Sequence, residues 1–209
     1  VLKCLTSFAF GPQEPLLDIA LPTFHRYARE HDYDLYIPRH NAMQRFEQID
    51  GRCVSWFKVL VLSSLLDSYD VVLWLDADVA VLRYDRDILD DADDRPQHMV
   101  VHETDDGSVP NCGVWLVRKQ AKFFLDDLWS HDGFRRSSSW WEQAAVIHCL
   151  GGDPDAQHDV GVPDGPLWGR LPYEWNPHAK DRRGIPEDAR FFHATMFQDR
   201  AAEMRRRIG

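Results

Sequence analysis

Apolar residues fall in short runs whose period changes along the chain, with Gly-, Pro- and Asp-containing stretches between them. The opening "VLKCLTSFAFG" is strand-like and closes on a Gly-Pro turn, as a first strand of an α/β sheet would. "EPLLDIALPTFHRYAREHDYDLYIP" predicts a helix to about His31, with Pro15 near its start and Pro22 kinking or splitting it, followed by a short strand Asp34–Ile37. In "CVSWFKVLVLSSLLDSYD" the residues Phe57, Leu60, Val61, Ser64 and Leu65 recur at helical spacing and predict one face packed on a sheet. An apolar strand Val71–Leu75 follows directly. Beyond it come an acidic loop, strand-like "HMVVHE" and "GVWLVR", a helix over "KQAKFFLDDLWSH" and another beginning near Trp140. Residues 151–186 lack periodicity and read as an irregular segment covering a site. "ARFFHATMF" restores a strand, and a helix ends the chain. Alternating strands and helices predict an α/β fold with a largely parallel central sheet flanked by helices.

Within this pattern "VVLWLDADVAVL" stands out, because two carboxylates interrupt an apolar run. In parallel α/β sheets ligands sit beyond the C-terminal strand ends, which is where Asp76 and Asp78 fall. In an extended chain residues two apart point the same way, so the pair is expected to converge, with Ala77 turned aside. Converging carboxylates repel unless a cation lies beside them, and a hard divalent ion with oxygen ligands, Mg²⁺ or Mn²⁺, meets that need. Such an ion would attract a diphosphate. The competing reading is a solvated turn after a strand.

Composition narrows the partners. A length of 209 residues suits one α/β core, and 44% hydrophobic with 28% charged residues is ordinary globular composition. The net charge of −10 argues against a nucleic-acid partner. No apolar stretch is long enough for a membrane span and the start has no signal-like pattern, although the chain begins at Val1 rather than Met. Cys4, Cys53, Cys112 and Cys149 form no C-x-x-C pair, which speaks against zinc and predicts buried free thiols. The absence of an N-x-S/T sequon, and nineteen Arg against five Lys, point toward a bacterial cytoplasmic protein.

A D-x-D at a strand end also occurs in haloacid-dehalogenase-type phosphatases, but there it lies on the first strand, whereas about seventy residues precede it here. The stretches "YAREHDYDLY", "WFKVLVLSSLLDSYDVVLWLDADVAV", "NCGVWLVR" and "WWEQAAVIHCL" together resemble the GT-A fold nucleotide-sugar glycosyltransferases, closest to the galactosyl/xylosyl/mannosyl transferases of the yeast mannan and plant xyloglucan type. The resemblance covers roughly Val1 to Leu150, with "FFHATMF" added near the end. It implies a single GT-A domain over residues 1–209, with a nucleotide-binding half 1–110 and an acceptor-side half 111–209.

By that resemblance Asp76 would help hold the ribose and metal, Asp78 would ligate the metal, and His193 would be the third ligand. Lys58 would approach the donor sugar or phosphate. Thr6, Ser7, Phe8 and Ala9 would meet the nucleotide, with Phe8 or Phe10 beside the base. Asn111 and Gly113 resemble the N-x-G that lines the donor-sugar and acceptor side. Glu142 and Gln143 stand where the family carries an acid-amide pair facing the anomeric carbon, with Glu one methylene longer than the usual Asp. The implied activity is Mn²⁺- or Mg²⁺-dependent, retaining sugar transfer from a nucleotide-diphosphate donor, UDP-sugar ahead of GDP-sugar. The acceptor would be a hydroxyl on a carbohydrate or glycosylated small molecule, with Trp140, Trp141, Trp168 and Trp175 available to stack on sugar rings. The alternative is a member that binds nucleotide sugar without turning it over.

Overall fold

The computed structural model describes residues 1–38, 51–105, 107–131, 140–156 and 159–209. Its strands are β1 (Lys3–Thr6), β2 (Asp34–Tyr36), β3 (Val71–Leu75), β4 (Val79–Val81), β5 (Gln97–Thr104), β6 (Gly107–Arg118), β7 (Gly169–Leu171) and β8 (Phe191–His193). The α-helices are α1 (Glu14–Glu30), α2 (Phe57–Leu65), α3 (Lys122–Ser130), α4 (Glu142–Cys149) and α5 (Arg200–Ile208). Six strands form one sheet in the order β2-β1-β3-β6-β5-β7, and β4 pairs with β8 in a separate two-stranded ladder. In the large sheet only β6 runs against the others, so the sheet is mostly parallel as the alternating pattern predicts.

β3 lies at the heart of the sheet and all five of its residues are buried, which explains its unbroken apolar run. Side chains alternate between faces. Cys4, Val72 and Trp74 pack with Leu62 of α2, Leu128 of α3 and Val146 of α4 on one face. Leu5, Leu73 and Leu75 pack on the other face with Phe24 and Tyr27 of α1, Phe191 of β8 and Met204 of α5. Truncating a fully buried residue such as Leu73 costs about 2–5 kcal/mol.

Three expectations need correction. Pro22 does not split the first helix, since α1 is continuous from Glu14 to Glu30. The face of α2 is not the expected one: Val59, Leu62 and Leu66 are fully buried, while Ser64 is exposed and Leu60 and Leu65 are only partly covered. The helix is apolar nearly all round because α3 covers the side that the sheet does not, as where Lys122 donates to the Ser63 carbonyl at 3.0 Å. Finally, the irregular stretch 151–186 contributes an edge strand, β7, which pairs with β5.

One irregularity positions the site. The β5–β6 register pairs Met99 with Trp115 but the next residue, Val100, with Asn111, so residues 112–114 bulge from that ladder. The bulge lies beside the end of β3, where Leu75 pairs with Val114.

Candidate active site

The chain turns as it leaves β3. Val79 N–H donates to the Asp76 carbonyl at 3.0 Å, so Asp76 and Asp78 sit at two corners of a tight turn rather than along an extended strand. They nevertheless converge. Asp76, Asp78 and His193 each bring one ligand atom to within 4.8 Å of the other two. His193 arrives through the β4–β8 ladder, in which it pairs with Val79, and Ala194 N–H donates to the Asp78 carbonyl at 2.8 Å.

Asp78 is 7% exposed and its two oxygens have different neighbours. Oδ1 faces His193 Nε2 at 3.3 Å, and Oδ2 accepts from Arg200 Nη1, at the start of α5, at 2.9 Å. Burial alone would raise the Asp78 pKa, but His193 and Arg200 together hold it well below the usual carboxylate range. On Asp76, Trp74 Nε1 at 2.6 Å and Lys58 Nζ at 2.9 Å both engage Oδ1, so neither uses the second oxygen.

Lys58 is the centre of a second cluster. It is 4% exposed, and its ammonium lies 2.8 Å from Glu142 Oε1 as well as 2.9 Å from Asp76. It also donates to the Cys112 carbonyl at 3.1 Å. Burial opposes its charge, but Asp76, then Cys112 and Glu142, raise its pKa well above the ordinary lysine value. Glu142 Oε2 is buried without a hydrogen-bond partner among the described residues. Gln143 Oε1 accepts from Cys112 N–H at 3.2 Å. Both backbone polar groups of Cys112, at the bulge, are therefore satisfied by site side chains instead of strand neighbours.

Asn111 and Gly113 act on His193. His193 Nδ1 lies 3.0 Å from Asn176 Oδ1, Asn176 Nδ2 donates to Asn111 Oδ1 at 2.9 Å, and Gly113 N–H donates to that same oxygen at 2.9 Å. This chain gives Nδ1 an acceptor for its proton and points Nε2 at Asp78, so that Nε2 can donate to the carboxylate when no ion is bound and, once deprotonated, turn its lone pair to a metal. Gly113 is required for the approach, since a Cβ there would stand 2.3 Å from His193 Cε1.

Thr6, Ser7, Phe8 and Ala9, expected to meet a nucleotide, lie at and just beyond the end of β1. Thr6 Oγ1 donates to the Tyr36 carbonyl at 2.8 Å, which ties it to β2. Ser7 Oγ is buried without a hydrogen-bond partner among the described residues, and Ala9 is buried. The Phe8 ring packs edge-on against Phe57, the neighbour of Lys58, with centroids 4.8 Å apart. Of the tryptophans, Trp168 and Trp175 are buried in the core and only Trp141 is well exposed, immediately before Glu142. Cys4 and Cys112 are buried thiols as expected, whereas Cys53 and Cys149 are only partly covered.

Sequence reasoning missed Asn176, Arg200, and His102 with His178. The two histidine rings contact each other at 3.8 Å between centroids, and His178 lies 6.4 Å from His193. No local signal marked them. Asn176 lies in an aperiodic stretch, and Arg200 reads as an ordinary helix start.

No protein-family model and no curated protein sequence matches the chain. Solved structures do. The chain superposes on a glycosyltransferase involved in the glycosylation of the major capsid of PBCV-1 with TM-score 0.66 and 20% identity, covering 99% of this chain and 98% of that one. The fold is that of the GT-A glycosyltransferases. A galactosyltransferase, LgtC, solved in complex with donor and acceptor sugar analogues, aligns with TM-score 0.52 and 14% identity over 100% of this chain and 95% of that chain. The bifunctional glycosyltransferase WbbM aligns with TM-score 0.62 and 10% identity over 100% of this chain, which spans 50% of its length. Within the GT-A fold, the clustered carboxylates and His193 occupy the C-terminal end of the central strand.

Proposed function

We propose that the protein is a metal-dependent glycosyltransferase that moves a sugar from a nucleotide-diphosphate donor to a hydroxyl acceptor with retention of anomeric configuration. The observation that carries this reading is the convergence of Asp76, Asp78 and His193 at the end of β3 in a GT-A fold. Two carboxylate oxygens and one imidazole nitrogen suit Mn²⁺ or Mg²⁺, and the donor set leaves room for the oxygens of a diphosphate. When bound, the ion neutralises charge on the departing diphosphate.

The chain's own residues supply the rest. Asp78 offers Oδ1 to the ion while Arg200 keeps Oδ2, and Asn176 fixes the tautomer of His193. Asp76, Asp78 and Glu142 face two permanent cations, Lys58 and Arg200, so one negative charge remains for a divalent ion to offset. Lys58 anchors Asp76 and Glu142 together, which sets the metal end of the site relative to the acid-amide pair at the start of α4. Thr6, Ser7, Phe8 and Ala9 line the nucleotide side, Asn111 and Gly113 the donor-sugar side, and residues 111–209 the acceptor side. UDP-sugar is the donor class, and a carbohydrate or glycosylated small molecule the acceptor. Among the described residues no helix is long and apolar enough to cross a membrane.

The test is a thermal-shift screen of UDP- and GDP-sugars with and without Mn²⁺, comparing the wild type with Asp78→Asn. A metal-dependent rise in melting temperature for one donor, lost in Asp78→Asn, is expected. A donor that stabilises both proteins equally, or without metal, would overturn the assignment.

A further inference from the structure

We propose a second metal site of softer chemistry at the C-terminal ends of α3 and α4, in which Asp127, His131 and Cys149 hold a zinc ion. Each of the three offers one ligand atom, and these atoms lie within 4.8 Å of one another. Asp127 is on the last turn of α3 and His131 is its C-cap, four positions on, so both fall on one helix face. His131 Nε2 already stands 3.8 Å from Asp127 Oδ2. Cys149 is the last residue of α4 and brings a thiol to the same point. Tetrahedral zinc holds its ligand atoms roughly 3.3–3.8 Å apart, so small side-chain rotations complete the set.

The donors decide the ion. Thiolate and imidazole select zinc over magnesium or manganese, whereas the Asp76–Asp78–His193 set, with two carboxylates and no sulfur, has the opposite bias. On binding, the Cys149 thiol loses its proton to solvent as the sulfur–zinc bond forms, and no redox step is involved. The fourth position falls to water or to His148, whose ring centroid lies 5.5 Å from that of His131. Ions can enter from solvent, because the Asp127 side chain is 66% exposed and that of His131 33%. The spacing explains why the sequence argued against zinc: the ligands form no C-x-x-C pair, and Cys149 lies 18 positions after His131.

Such an ion would pin the far end of α4, the helix that begins with Glu142 and Gln143, to the end of α3. The site would therefore stiffen the helix that carries the acid-amide pair, without itself contacting it. The inference stands whether or not the chain transfers sugar.

Cobalt tests it, because a cobalt–thiolate bond gives a charge-transfer band in the near ultraviolet that oxygen and nitrogen ligands do not. Chelator-treated protein titrated with Co²⁺ is expected to develop that band to saturation at a single equivalent, and Zn²⁺ to bleach it. Cys149→Ser and His131→Ala should lose the band, Asp127→Asn should weaken it, and Asp78→Asn and Cys53→Ser should keep it. Circular dichroism without metal checks that each variant is folded. His131 and Asp127 are exposed enough that their variants report even if Cys149→Ser does not fold. No thiolate band in the wild type, or a band that survives His131→Ala or Cys149→Ser, would overturn the proposal.

Discussion

Gly113 and His193 are in direct conflict over space: a single added methyl on the glycine would sit 2.3 Å from the imidazole Cε1 and 2.9 Å from Nδ1. Gly113→Ala is therefore expected to push His193 out of line with Asp78 while leaving the large sheet paired. Overpacking of this kind costs about 1–3 kcal/mol. Mn²⁺ titration should reach its half-point at roughly tenfold higher concentration in the variant, and an unchanged titration would separate His193 from the metal.

The buried lysine makes a sharper energetic prediction. Lys58→Met leaves Asp76 and Glu142 without their shared cation, and breaking a buried ion pair from one side costs about 3–5 kcal/mol. Urea unfolding should show that loss. Adding Glu142→Gln to Lys58→Met should recover part of it, and a strictly additive double-mutant cycle would mean that the pair is not energetically coupled.

The histidines beside the site predict a pH dependence. Burial, then the neighbouring His193, lowers the His178 pKa to about 4, and burial and His178 hold His102 well below its ordinary value. An unfolded histidine titrates near 6.5, so between about 6.5 and 4 the unfolded chain binds more protons than the folded one. Stability is then fully present above about pH 6.5 and falls as the pH drops toward 4. The urea midpoint should decline between about pH 7 and 5, above the range where most carboxylates titrate, and His178→Gln should flatten that decline. An equally steep decline in the variant would place the titrating group elsewhere.

Retention is checked by proton NMR of the first-formed product. An α-linked donor is expected to give an α-linked product. Glu142, as the carboxylate of the acid-amide pair, is held by Lys58 at 2.8 Å, which disfavours its acting as a free general base as inversion would require. A β-linked product would reverse this reading.

What the sequence made legible follows from range of interaction. β3 and the aspartates that end it were readable because a fully buried strand is a continuous apolar run and a charge at its end breaks the pattern. β8 was legible as the strand in "ARFFHATMF", but β4, three residues long, is too short for any period to show, and the pairing of the two, which joins Val79 to His193, is long-range. The turn at Asp76–Val79 was read as extended chain because the bond that closes it is a backbone one, invisible in side-chain identities. Asn176 and Arg200 escaped for the same reason: each acts on a residue that only the tertiary fold brings near. Lys58 could be matched by resemblance, but its burial between two carboxylates could not be seen without coordinates.

The bulge at Cys112 constrains how this protein could be re-engineered. Lys58 and Gln143, which the proposed function places near the donor sugar, also satisfy the carbonyl and the amide of Cys112 where β6 leaves its ladder. Every exchange at either position therefore draws on the stability of the strand that presents Asn111 and Gly113. Libraries that vary Trp141 instead, exposed beside Glu142 and free of that duty to Cys112, should keep far more folded members.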